Sequence, residues 1–375
     1  MVPRQRHVEV TTLAVLSLVV WLYLLLGHGR FWHSEPELAP VRGLAATPVT
    51  IVVPARDEAA SIAQALQSLL AQDYRGAFRL ILVDDGSSDG TGAISRGLGD
   101  TRLVVVDAKP RPAGWSGKLW AVAQGLEEAD TELVLLTDAD IIHDPRHLSA
   151  LVAHAERSGL DMVSEMVALA CNSQAEHALV PAFVFFFQLL YPFAKVNDPL
   201  SATAAAAGGT VLIRRRALER IGGIQAIRGA LIDDVALAAA VKRGGRIWLG
   251  HTSLAHSIRE YPKTADIWRM ISRTAYVQLR FSPLLLLGTT LGMALTFLLP
   301  PLAALFVPGL ARWCGWAAWG VMAACYRPTL HRYGRSMLWA PALPLVAAFY
   351  MAATLGSAVN HYVGRGVAWK GRAYA

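Results

Sequence analysis

The chain has 375 residues, 54% hydrophobic and 17% charged, with a mean hydropathy of +0.37. That apolar content exceeds the needs of one water-soluble core and points to a membrane-associated protein. The net charge is +7, but the basic residues are not interleaved with exposed aromatics outside the membrane flanks, which argues against nucleic acid as a partner.

The segment Val8–Leu26 is long and apolar with one acid, Glu9. Arg4 and Arg6 precede it and no small-residue cleavage site follows, so it predicts a retained spanning helix rather than a cleaved signal. An anchor over 1–30 and a linker over 31–47 follow from this. VTIVVPA predicts a first strand, in which Pro54 blocks simple continuation of the ladder. Ile62, Leu66, Leu69 and Leu70 share one face of the helix that comes next. RLILVDD, LVVVD and TELVLLTDADI predict further strands, with a helix beginning near Gly117-Lys118 between the last two. This rhythm over 48–260 predicts an α/β domain built on a mostly parallel sheet.

Residues 144–159 predict a surface helix, and DMVSEMVALA a strand with Glu165 on its accessible side. Residues 179–193, aromatic and uncharged, fit an interfacial segment, a cover over the site or an ordinary buried helix. An interfacial amphipathic region is expected over 261–282, and a membrane region with a basic tail over 283–375. Within it, residues 283–308 are long enough for one helix or for the start of a hairpin at Pro300-Pro301, residues 326–335 suggest a wet basic stretch, and Pro341 and Pro344 a break in the last apolar segment. Basic groups at Arg327, His331, Arg332 and Arg335, and again at Arg365, Lys370 and Arg372, fit cytoplasmic flanks on an anionic bilayer. Cys171, Cys314 and Cys325 are too widely spaced for a metal knuckle.

Three acidic clusters carry the chemistry: Asp84-Asp85, Asp138-Ala139-Asp140 and Asp233-Asp234. The first two fall beyond the carboxyl ends of predicted strands, where ligands bind in such sheets. In an extended strand end Asp138 and Asp140 project to one side, suited to a ribose and a metal-bound diphosphate. Mg²⁺ or Mn²⁺ prefers such hard oxygens and bridges phosphates. A solvated strand end is the bland alternative for one cluster. DDGSSDGT makes a tight turn, with Asp89 as a helix cap or turn brace. Lys118 follows a flexible Gly-Trp-Ser-Gly and approaches phosphates or simply solvent. Asp233-Asp234 opens a helix, either as a cap or with an acid aimed at an acceptor hydroxyl.

PARDEAASIAQALQSLLAQDY, ILVDDGSSDGT, LLTDADI, GGTVLIRRRALERIGG and LIDDVALA together resemble the inverting glycosyltransferases of family 2, on the GT-A fold. The whole-chain layout and the terminal HYVGRGVAWKGRAY resemble the bacterial hopene-associated glycosyltransferase group, relatives of ceramide glucosyltransferases and carotenoid-pathway glycosyltransferases.

The resemblance implies that Pro54, Ala55 and Asp57 edge a nucleotide pocket and that Asp84 and Asp85 read uracil or ribose. It implies Asp138 on the nucleotide and Asp140 on the divalent ion. Asp234 matches the catalytic base, beside Asp233 where the family commonly has Glu, and Gly208 and Gly209 line the donor sugar. The family's Gln-x-x-Arg-Trp motif survives only as Arg273, with Met270 and Thr274 at the other positions; Gln278 and Arg280 offer a second register. Its loss argues against polymer synthesis. The implied reaction moves a sugar from a nucleotide-diphosphate donor, a UDP-sugar, to a lipid hydroxyl. The enzyme would sit in a bacterial cytoplasmic membrane with its catalytic domain toward the cytoplasm. Polyprenyl phosphate is the other acceptor, and a nucleotide-sugar or lipid binder without turnover the other class.

Overall fold

The computed structural model describes residues 2–40, 46–364, 367–369 and 372–374, with side chains over 8–40 and 46–364. The expected basic residues Arg365 and Lys370, and the side chains of Arg4, Arg6 and Arg372, lie outside the described residues. The chain divides into two units: residues 1–34, 171–192 and 261–375 form one, and residues 35–170 and 193–260 the other. The segment 171–192, inside the expected 48–260 domain, therefore groups with the first unit.

The second unit is an α/β domain. Its strands are β1 (Val49–Ala55), β2 (Phe78–Asp84), β3 (Leu103–Asp107), β4 (Leu133–Thr137), β5 (Ile141–His143), β6 (Met162–Ala168), β7 (Thr210–Arg214) and β8 (Ile247–Ser257). They form one sheet in the order β3-β2-β1-β4-β7-β6-β8-β5. The pairs among β3, β2, β1 and β4 are parallel, as is β6 with β8, while β7 runs against both its neighbours and β5 against β8. The result is the mixed, mostly parallel sheet of the GT-A fold.

Pro54 does not stop the ladder with β2, which continues to Ala55 opposite Asp84. Pairing with β4 ends at Val52 opposite Leu136. In a parallel strand successive residues face alternate neighbours; the Ala55 carbonyl accepts from the Asp85 amide at 2.8 Å, so Pro54 faces the β4 side. The missing N–H is lost only there.

On one sheet face, Ile51 and Val53 pack with Ile62, Leu66 and Leu69 of the helix Ile62–Leu70 and with Leu148, Leu151 and Val152 of the helix His147–Arg157. Each such side chain contributes about 1.5–3 kcal/mol on full burial. The helix expected on the surface is thus a core element. On the other face Ile81 and Val83 meet Ala121 of the helix Gly117–Glu127.

The first unit is helical. Val8–Leu26, Pro283–Phe306 and Met337–Tyr362 are long and apolar enough to cross a membrane by length and composition. No hairpin forms at Pro300-Pro301: both prolines sit in the first turn of Leu299–Phe306, where a missing N–H is tolerated. A wide π turn over Ala294–Leu298 precedes it. The freed carbonyls of Leu295 and Thr296 accept from Ser17 Oγ at 2.8 Å and Trp21 Nε1 at 2.6 Å. The stretch expected to be wet continues the helix Leu310–Arg332, with Tyr326 and Leu330 buried. A 3₁₀ turn over Met337–Ala342 precedes the helix Leu343–Tyr362, which has Pro344 in its first turn. Residues Gln174–Leu190 form a helix closed by a Ser173–Glu176 capping box and burying Leu179, Val184 and Phe185.

Candidate active site

A cavity at the strand ends of the α/β unit is lined by Pro54, Lys118, Thr137, Asp138, Gly208 and Asp234, among others. Lys118 leaves the first turn of its helix, which Ser116 caps at the Leu119 amide. Its Nζ lies 2.8 Å from Asp138 Oδ1 and 3.4 Å from Asp233 Oδ2. Lys118 is therefore not a solvated helix-start lysine. Burial works against its ammonium, but the charges of Asp138 and Asp233 outweigh that and raise its pKa.

Asp233 and Asp234 begin the helix Asp233–Lys242, where the dipole favours negative charge. Asp234 Oδ2 accepts the Gly208 N–H at 2.9 Å and Oδ1 the Val235 N–H at 2.8 Å. Burial, with the neighbouring Asp233 charge, pushes the Asp234 pKa up to about 7 against the pull of Lys118 and the two amides. A carboxyl so poised can accept a proton near neutral pH. Burial likewise raises Asp138, opposed by Lys118.

The Asp-Ala-Asp segment is a turn after β4 rather than an extended strand end. Its two acids take different cations. Arg259 Nε lies 2.5 Å from Asp140 Oδ2 and its Nη2 is 2.6 Å from Glu58 Oε1. Ser257 Oγ stands 3.5 Å from the same Asp140 oxygen. Sequence reasoning missed Arg259 and Glu58.

A divalent ion fits this donor set on two grounds. With Arg259 engaging Oδ2, Asp140 Oδ1 is the hard oxygen that remains for a cation. Glu58, Asp138, Asp140, Asp233 and Asp234 also outnumber Lys118 and Arg259, so a diphosphate entering here needs added positive charge. Among the described residues no group of three or more His, Cys, Asp or Glu could hold a metal.

Asp57, Asp84 and Asp85 stand together at the ends of β1 and β2. Asp84 and Asp85 are buried, and Asp84 Oδ1 accepts the Ser87 N–H at 2.9 Å. Asp57 has φ 50°; its amide donates to Ser87 Oγ at 2.9 Å and its Oδ1 accepts the Ser88 N–H at 2.8 Å. Arg56 donates to the Asp85 carbonyl. Asp89 is the expected brace, accepting from the Ala59 and Thr91 amides at 2.8 and 3.0 Å.

Four further residues that the sequence singles out, Arg273, Gln278, Arg280 and Glu165, are described within their own units. Arg273 is exposed on the helix Thr264–Gln278 of the first unit. Gln278 donates to the Tyr191 hydroxyl within that unit, and Arg280 follows at φ 52°. Glu165, expected on an accessible side, is fully buried at 0% exposure and bonded to His147.

Residues 50–222 match the family model Glycosyl transferase family 2. The 4,4'-diaponeurosporenoate glycosyltransferase of Staphylococcus aureus strain MRSA252 is 30% identical over 127 residues, 34% of this chain and 33% of the relative. The counterpart in the bovine strain RF122 / ET3-1 is 36% identical over 127 residues, again 34% of this chain and 33% of the relative. The chain thus matches about a third of the length of these curated relatives. Among solved structures, the mannosyltransferase PcManGT from Pyrobaculum calidifontis in complex with GDP-Man and Mn2+ shares the fold. Its TM-score is 0.56 at 22% identity, covering 93% of this chain and 98% of that one.

Proposed function

We propose that the protein is an inverting glycosyltransferase that moves a sugar from a nucleotide-diphosphate donor, a UDP-sugar, to a hydroxyl of a hopanoid-like membrane lipid. The observation that carries this reading is the convergence of Lys118, Asp138, Asp233 and Asp234 on one cavity, with Asp234 held near pKa 7. The staphylococcal relatives, glycosyltransferases named for 4,4'-diaponeurosporenoate, and the three membrane-length helices support a lipid acceptor. The bacterial source of those relatives and the membrane-length helices support a bacterial membrane location, and the catalytic unit is assigned to the cytoplasmic side, where nucleotide sugars are made.

Asp234 takes the proton of the acceptor hydroxyl as its oxygen bonds to the anomeric carbon. The bond from that carbon to the diphosphate oxygen breaks on the opposite side, and the electron pair leaves with the nucleoside diphosphate. One displacement inverts an α-linked donor to a β-glycoside. Lys118 holds Asp138 and Asp233 in register and offers positive charge to the departing group. Asp140 would hold Mg²⁺ or Mn²⁺, and that ion would supply the charge neutralisation the acid-rich pocket lacks. Pro54, Ala55, Asp57, Asp84 and Asp85 are assigned to the nucleoside, and Gly208 and Gly209 to the sugar.

The test is transfer from labelled UDP-glucose or UDP-N-acetylglucosamine to extracted hopanoid, carotenoid and polyprenyl phosphate pools, comparing wild type with Asp234→Asn. A β-linked lipid product that disappears in the variant is expected. No transfer to any pool, an α-linkage, or an active Asp234→Asn enzyme would overturn the reading.

A further inference from the structure

Four buried side chains from four elements of the α/β unit form one hydrogen-bonded file. Glu165 of β6 meets His147 at 2.5 Å between Oε2 and Nε2, and His147 meets His143 at 2.8 Å between their Nδ1 atoms. His143 Nε2 lies 3.1 Å from Thr137 Oγ1, which donates to the Gly209 carbonyl at 2.8 Å. Glu165 and His147 are 0% exposed, Thr137 2% and His143 3%. Burying so many polar groups is costly unless each is satisfied, and a core of Val and Leu has no packing need for them.

Counting hydrogens fixes the Thr137 end of the file, and the neutral ring that burial favours at His143 orients its link to His147. A carbonyl only accepts, so the single Thr137 hydroxyl hydrogen goes to Gly209. Thr137 must then accept from His143, whose proton sits on Nε2. Burial, with His147 and His256 nearby, keeps the His143 pKa well below its ordinary value, so its ring is neutral and Nδ1 accepts from His147 Nδ1–H. One further proton is shared between His147 Nε2 and Glu165 Oε2. The other Glu165 oxygen is buried with no hydrogen-bond partner among the described residues, so the carboxyl is committed to this file alone.

The file ends on the segment that meets Asp234. The Gly209 carbonyl accepts from Thr137 and, at 3.3 Å, from the Asp138 amide. One residue earlier, the Gly208 N–H donates to Asp234 Oδ2 at 2.9 Å. The carbonyl of that same peptide group, on Ala207, accepts from Ser164 Oγ at 3.0 Å. Two consecutive glycines have the widest backbone freedom, so they hold one orientation only where they are clamped. Ser164 clamps one side and Thr137 the other.

We propose that Glu165, His147, His143 and Thr137 are positioning residues that act through the Gly209 carbonyl to keep the Gly208 amide on Asp234. The functional consequence rests on the reading of Asp234 as the base; the file and its effect on Gly208 do not, and they are tested without turnover. Without the clamp, the amide leaves Asp234 and the carboxyl loses a donor that favours its ionised form.

The experiment uses the full chain in detergent. Ring-nitrogen NMR of ¹⁵N-histidine protein, assigned with His143→Asn, should find His143 protonated on Nε2 alone from about pH 6 to 8, where an unperturbed histidine titrates near 6.5. Hydrogen exchange of peptides spanning 205–210 should quicken roughly tenfold or more, through local opening, in Thr137→Val and in Glu165→Leu. Thr137→Ser should restore it, and so should Glu165→Gln, whose amide N–H can still donate to His147. Exchange over Ile62–Leu70 serves as the control and should not change. A proton on His143 Nδ1, unchanged 205–210 exchange in Thr137→Val, or equal loss in Glu165→Leu and Glu165→Gln overturns the proposal. An active Asp234→Asn enzyme with these signatures intact would instead remove only the reading of the base.

Discussion

Arg259 Nε lies 2.5 Å from Asp140 Oδ2 although 119 residues separate them in the chain. The same guanidinium reaches Glu58, so one cation bridges two acids at the strand ends. Its side chain is 35% exposed, which limits the stability it supplies to about 1–3 kcal/mol, below the range for breaking a fully buried pair. Arg259→Leu should free both oxygens of Asp140 and tighten nucleotide-free Mn²⁺ binding. Titration followed by electron paramagnetic resonance reads this directly. Unchanged affinity would mean that Asp140 is not the ion's foothold.

Asp234 sets a pH dependence whose sign is fixed by its raised pKa. Only the carboxylate accepts a proton, so kcat/KM should climb through an acidic limb near pH 7. Stability moves the other way. Between the ordinary carboxyl value and about 7 the folded state holds a proton the unfolded chain has released, so this group's contribution falls as pH rises through that window. Asp234→Asn should abolish transfer yet raise Tm at pH 8, with little change at pH 4. A variant less stable than wild type at pH 8 would contradict the burial argument.

Lys118 pulls on Asp138 and Asp234 together. Lys118→Met removes the charge that opposes their protonation, so the acidic limb should move to higher pH and the donor KM should rise. Lys118→Arg keeps the charge and should leave the limb within a few tenths of a unit. A limb that stays put in Lys118→Met would show that the lysine does not set the base.

What the sequence discloses here is governed by range. β1 and β3 were readable residue for residue because their signal is a local run of β-branched side chains. Asp138, Asp233 and Asp234 were found through local carboxylate clusters, and the cavity joins them. Arg259 was not, because a lone arginine after a long strand carries no local mark and its partners lie far away in the chain. Glu165 was misread for a related reason. Period-2 alternation says which residues share a strand face, but not that β6 is enclosed between β7 and β8 with a histidine from another helix waiting there. Of the two readings of 283–308, a single helix or a hairpin at Pro300-Pro301, the helix holds: a π turn, invisible to apolar counting, precedes the turn that takes both prolines.

Gly125 tests how tightly the helix carrying Lys118 is pressed on the sheet. A Cβ at Gly125 would stand 2.4 Å from Val52 Cγ1 and 3.2 Å from Val83 Cγ2, and both valines are 0% exposed. Alanine gains about 1 kcal/mol of helix propensity over glycine, but overpacking a rigid core costs about 1–3 kcal/mol. Gly125→Ala should therefore lower Tm. Because the helix must lift to accommodate the methyl group, Lys118 at its start should withdraw from Asp138 and the donor KM should rise. Val52→Ala removes the opposing methyl, so the double variant should be less destabilised than the sum of the two single changes. Additive losses would show that the helix does not rest on Val52 through the gap that Gly125 leaves.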